Sequence, residues 1–188
     1  AMNKIWIGNG QLVLPDKIVP GGSVLLEGKK IAAVNVPCPP DARRVDVDGS
    51  YIMAGFVDIH VHGGGDSDFM DEDASAFPTI AKAHCAHGTT ALCPTTMTCA
   101  DSLLEKTIDL FLEADKEPEN GAELLGLHLE GPYFSAASKG AQPIGEQRIP
   151  EREDLERILR REASCAGTPR RSCRTWSCLP RSWRKTGF

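Results

Sequence analysis

The chain has 188 residues, 41% of them hydrophobic, enough for one domain or for one and the beginning of another. Its formal net charge of -5 argues against a nucleic-acid partner, because phosphate binding wants a basic surface. No run approaches the roughly 18 to 20 apolar residues of a membrane span, and the N-terminal stretch has no basic region followed by an apolar one. A soluble cytoplasmic protein without a membrane partner is therefore expected. Cys38, Cys85, Cys93 and Cys99 sit among small or apolar residues without regular spacing and are expected to be reduced, structural thiols.

The first fifty residues read as short strands. "KIWIG", "QLVLP", "GSVLLEG", "KIAAVNV" and "RRVDVDGSYIM" are apolar or β-branched runs separated by Asn-Gly, Gly-Gly and Gly-Lys turn signals. They predict a small antiparallel β unit over residues 1–53, with the Pro-rich "VPCPPDARR" as a loop within it.

From residue 54 the pattern changes to short apolar strands, each followed by a stretch able to form a helix. "GFVDIHVHG" leads through a Gly-rich loop into "DEDASAFPTIAKAHCAHG", whose acidic start and closing Gly88 suit a helix. "TTALCPTT" is a second strand. "CADSLLEKTIDLFLEADKEP" spaces Leu103, Leu104, Ile108 and Leu112 as an amphipathic helix, with Asp101 near its start and Pro118 closing it. "AELLGLHLEGP" is a third strand. Strands alternating with helices imply a parallel sheet, and residues 54–163 are expected to form the first part of an α/β domain. Three such strands do not close a barrel.

On a strand, side chains alternate faces, so Asp58, His60 and His62 share one face and Val57, Ile59 and Val61 the other. Two same-face residues at i and i+2 lie about 7 Å apart at their Cα atoms, close enough for two imidazoles to meet on one cation. The bland alternative is a pair of hydrogen-bonded strand histidines. Glu130, on the same face of the third strand as His128 and followed by Gly131 and Pro132, offers a third ligand or else a carboxylate at the solvent edge of the sheet.

Three segments, "AGFVDIHVHGGGDSDFMD", "GTTALCPTT" and "LGLHLEGPYF" followed by "KGAQ", occur in an order and spacing that resembles the N-acetylglucosamine-6-phosphate deacetylases of the amidohydrolase superfamily. The resemblance covers about residues 3 to 160. It implies an amidohydrolase-type (β/α) barrel, here only its first three strands, preceded by part of a small β-sandwich domain. It also implies a divalent metal (Zn, Fe, Mn or Co) held by His60, His62 and Glu130, and contacts to an amino-sugar phosphate from Ala141 and Gln142. Gln142 stands where some members carry His. His128 is expected as a strand residue beside the site, and His84 and His87 as surface residues. The acid–base Asp and two further histidine ligands of the family come from later strands and match no residue here. A homodimer is what the resemblance implies for the full-length protein. Other amidohydrolases, of the dihydroorotase or adenine deaminase type, share the HxH pattern but not "HLEGPYF" and "KGAQ".

Up to Ala163 the chain holds 15 basic and 26 acidic residues, whereas residues 164–188 hold six basic residues, none acidic, and three of the seven cysteines. This tail has no helical or strand period. Three readings stand: a basic partner-binding tail on a non-catalytic fragment, a zinc module of Cys165, Cys173 and Cys178 that lacks any CxxC pair, or sequence that is not native. Written back as codons, Leu179 to Gly187 can read CTG CCC CGG AGC TGG AGG AAA ACG GGG. Started from the last base of the first codon, the same string gives Ala-Pro-Glu-Leu-Glu-Glu-Asn-Gly, similar to the "LAPE" stretch with which the family continues. A one-base shift near Ser164 is the expectation, with little or no deacetylase activity from this polypeptide alone.

Overall fold

In a computed structural model of the protein, the described residues are 4–135, 137, 139–149 and 151–165. The chain divides into two compact units, the first ending at Ala54 and the second starting at Gly55.

The first unit is a five-stranded sheet built from β1 (Lys4–Val13), β2 (Ile18–Glu27), β3 (Lys30–Val34), β4 (Arg43–Asp46) and β5 (Tyr51–Ile52). Its order is β3-β2-β1-β4, with β5 also paired to β1. Strands β1, β2 and β3 pair antiparallel, as expected, but β4 and β5 run parallel to β1. The Pro-rich segment explains this departure. It is too long for a hairpin and carries the chain across the sheet, where Val36 O accepts hydrogen bonds from Trp6 Nε1 (2.8 Å) and Ser23 Oγ (2.7 Å). A second departure concerns Asn9-Gly10, which lies inside β1 and does not turn the chain. Asn9 takes a left-handed φ of 61° at a shift in register, and its Nδ2 donates to Asp46 Oδ1 at 2.7 Å. Leu12, Val24 and Ile52 form the buried centre of this unit.

The second unit runs β6 (Phe56–Val61), a two-stranded ribbon of β7 (Gly63–Gly64) and β8 (Ser67–Asp68), α1 (Ala76–Cys85), β9 (Thr89–Pro94), α2 (Asp101–Glu113), β10 (Glu123–Leu124) and α3 (Arg152–Cys165). Strands β6, β9 and β10 are parallel and adjacent in chain order, the arrangement expected from strand–helix alternation. The third strand is shorter than its apolar run. After Leu124 regular pairing stops at Gly126 and resumes as a single bridge between Thr95 and His128.

Helix α1 also starts later than its acidic lead-in. Pro78 is tolerated only in the first helical turn, so the acidic residues before it form turns, with Asp73 accepting hydrogen bonds from Ser75 N and Ser75 Oγ, both at 2.8 Å. Gly88, at φ +92°, leads the chain from α1 into β9. The core lies between the helices and the sheet. Phe77 of α1 touches Phe69 (ring centroids 5.2 Å apart) and Phe111 of α2 (6.2 Å), over Ile80, Leu92, Leu104, Ile108 and Leu124. Phe56, Val57 and Ile59 of β6 are exposed.

Helix α3 has no counterpart in the sequence expectations. It adds Ile158 to the core and runs beside α2 as a ladder of ion pairs, Arg157 with Glu105 and Asp101, and Arg161 with Asp109, while Arg148 pairs with Asp101. The Arg148 side chain, by hydrogen bonding to Asp101, holds that carboxyl below its ordinary range. A depressed carboxyl pKa contributes stability above the unfolded value near 4 and loses it as pH falls through the folded value. Asp101→Asn is therefore expected to flatten the acid limb of a urea-unfolding series below about pH 4, with an effect small because the pair is partly exposed. An acid limb identical to the parent chain's would remove Asp101 from this account.

Candidate metal centre

The site forms at the ends of β6 and of the segment after β10, which flank β9. His60 and His62 leave one face of β6, as strand alternation predicts, and their Nε2 atoms stand 3.2 Å apart. Glu130 Oε2 lies 3.1 Å from each of them. The three atoms make a nearly equilateral triangle, whose centre is about 1.8 Å from each corner. That spacing would let His60, His62 and Glu130 hold one cation together, since metal–imidazole and metal–carboxylate bonds are roughly 2.0–2.2 Å. Among the described residues these three are the grouped His, Cys, Asp and Glu donors. Two imidazoles and one anionic oxygen this close require a cation or a shared proton between them, and the donor set fits a divalent metal.

The surrounding backbone sets which nitrogen faces the centre. Thr95 O, a carbonyl that can only accept, lies 3.2 Å from His62 Nδ1, so Nδ1 is the donor on that side and Nε2 is the ring nitrogen that faces the triangle. Thr95 is fully buried and ties β6 to β9 twice more. Its Oγ1 accepts from Val61 N at 2.9 Å and donates to Cys93 O at 3.0 Å, and its own N–H donates to Val61 O at 2.9 Å. Asp58 shares the face of the two histidines but is occupied with local structure, accepting from His60 N at 3.0 Å.

After His62 the chain turns tightly through the β7–β8 ribbon, where a Cβ on Gly63 would fall 2.3 Å from Ser67 O. His84 holds that ribbon by donating from Nε2 to Gly63 O at 3.0 Å. It is half-buried, whereas the sequence places it at the surface; His87 is exposed.

Glu130 is followed by Gly131 at φ +87°, and a Cβ there would sit 2.2 Å from Thr98 Oγ1. Thr98 also receives the "KGAQ" loop, because its N–H donates to Gln142 Oε1 at 2.8 Å. Gln142 is buried, with its side-chain carbonyl oxygen engaged; Ala141 is exposed beside it. The residues that sequence reasoning leaves out are thus Thr95 and Thr98, and the only sign of them is the threonine run "PTTMT" directly after β9. Gly131→Ala combines a disfavoured φ with a clash against the Thr98 side chain. It is expected to destabilise the fold by about 1–3 kcal/mol in urea unfolding and to weaken cation binding by displacing Glu130. Unchanged binding would show that the loop yields without moving the carboxylate. The side chains of Cys165, Cys173 and Cys178, and the tail from residue 166, lie outside the described residues.

A three-stranded parallel βα unit with a His-x-His pair at the end of its first strand and a Glu after its third is the opening of an amidohydrolase barrel. The chain belongs to the amidohydrolase family, whose profile matches residues 51–169. Among curated proteins it is similar to the N-acetylglucosamine-6-phosphate deacetylase of Homo sapiens, 29% identical over 158 residues, which are 82% of this chain and 35% of that protein. It is also similar to the Bacillus subtilis protein of the same name, 31% identical over 138 residues, or 70% of this chain and 35% of that one. The crystal structure of N-acetylglucosamine-6-phosphate deacetylase from Pasteurella multocida superposes with a TM-score of 0.74 at 25% identity, covering 84% of this chain and 42% of that one. The chain thus spans about a third of the length of the curated relatives it matches. No helix among the described residues is long and apolar enough to cross a membrane.

Proposed function

We propose that this chain carries the metal-binding part of an amide hydrolase that converts N-acetylglucosamine 6-phosphate to glucosamine 6-phosphate and acetate. The observation that supports this most is the convergence of His60, His62 and Glu130 within 4.8 Å of one another, in a chain similar to proteins bearing that deacetylase name. A divalent cation, when bound, polarises an amide carbonyl and lowers the pKa of its water, which lets hydroxide attack near neutral pH. Zn, Fe, Mn and Co all accept this donor set.

The chain's own residues divide the remaining work. His60 and His62 present ring nitrogens, and Glu130 supplies the negative charge that would balance the cation. Thr95 keeps His62 in the tautomer the site needs. Gln142 and the backbone at Ala141 are the proposed contacts to the sugar. A carboxylic acid must move a proton to the departing amine; that step is given to none of the described residues. The same reading carries with it a homodimer and a cytoplasmic location.

The chain loaded with Co²⁺ should change its visible spectrum when N-acetylglucosamine 6-phosphate is added and remain unchanged with dihydroorotate or adenine. A response to either of the latter alone would move the reading to another amidohydrolase. Silence towards all three would remove the substrate and leave the metal centre standing.

A further inference from the structure

His128 takes no part in the triangle of donors, yet it is buried against one of them. Its ring meets the His60 ring edge to face, with centroids 4.7 Å apart and planes at 84°. Its Nδ1 lies 2.8 Å from the carbonyl of Ile59, which can only accept, so Nδ1 carries a proton and donates it to β6 immediately before His60. Its backbone is fixed by β9: His128 N donates to Pro94 O at 2.8 Å, and His128 O accepts from Thr96 N at 3.0 Å. One residue thus links β9, the β6 backbone and the exposed ring of His60.

We propose that His128 is a positioning residue that sets the rotamer of His60 and so raises the affinity of the centre for a divalent cation. The physical need is clear from exposure. The His60 side chain is 46% exposed, and a side chain with that freedom loses rotamer entropy when it is held in one ligating orientation. The ring of His128 removes competing orientations before the cation arrives, and its bond to Ile59 O keeps the strand from drifting away. The part played by Thr95 for His62 is played by His128 for His60, through ring contact in place of a hydrogen bond to the imidazole. This rests on the metal reading given above.

The test is titration of the full chain with Co²⁺ alone, followed by its visible absorption, in the parent chain and in His128→Leu and His128→Asn. Leucine fills the space but donates nothing, and asparagine restores a donor near the Nδ1 position without the ring. The inference expects a 10- to 100-fold loss of affinity in His128→Leu, a smaller loss in His128→Asn, and band positions unchanged in both, because the coordinating atoms stay the same. Parent-like affinity in either variant, with parent-like far-ultraviolet circular dichroism, would overturn it. So would a band shift, which would make His128 a ligand. If leucine prevents folding, the asparagine variant alone decides between a lowered and an unchanged affinity. A parent chain that binds no Co²⁺ overturns both this inference and the metal reading. Equal binding by parent and variants overturns this one alone.

Discussion

Glu130→Gln is expected to lower the affinity for Zn²⁺ by at least about 100-fold, measured by competition with a chromophoric chelator, while thermal unfolding without metal stays close to that of the parent chain. The substitution keeps the shape of the side chain and gives it an amide that can donate to His60 Nε2 or His62 Nε2, so no neighbour is left unpaired. What disappears is the negative charge at the third corner of the triangle. Two neutral imidazoles alone hold a divalent cation weakly, since the charge balance of the site comes from the carboxylate. The parent chain should also gain thermal stability on addition of Zn²⁺, because a ligand that binds only the folded state shifts the unfolding equilibrium, and the variant should not. Equal affinity in parent and variant would mean that Glu130 is a hydrogen-bonding partner of the histidines and no ligand.

Phe77→Ala should cost the second unit about 3–5 kcal/mol in urea unfolding. The ring is fully buried and stands between Phe69 and Phe111, so its removal opens a space lined on two sides by aromatic groups that cannot both move in. The effect should reach the centre as well. Phe69 N donates to His62 O at 3.0 Å, and Phe69 keeps that position by packing against Phe77. A loss under about 1 kcal/mol would show that α1 and α2 close over the space without strain.

The sheet of the second unit is legible in the sequence because parallel strands between helices carry an unmistakable alternation of short apolar runs and amphipathic stretches. The first unit is less so. Nothing in "RRVDVDG" distinguishes a parallel from an antiparallel partner for β4, since both need the same alternating residues, and only the loop spanning the sheet decides. Asn9-Gly10 misleads for a related reason: the left-handed backbone that Asn and Gly favour serves a bulge as well as a turn. At the site, the two histidines can be placed on one face by counting residues. Glu130 reaches them from a segment far along the chain, and its distance to them is set by tertiary packing that no local pattern records. Thr95 and Thr98 act through main-chain bonds, which sequence does not display. Helix α3 packs Ile158 into the core and pairs its charges with α2, and an acidic and basic stretch such as "EREDLERILRRE" does not say which partner it has.

The pairing of β6 with β9 breaks register between Asp58 and Val61, and Thr95 bridges the gap with its side chain. A slip of one residue there would turn Ile59 and Val61 towards Glu130 and both imidazoles away, with little change in helix content. Cobalt colour is for that reason a reporter of strand alignment during refolding. A chain that regains its circular dichroism before its visible bands would have built its helices first and found the correct register of its sheet afterwards.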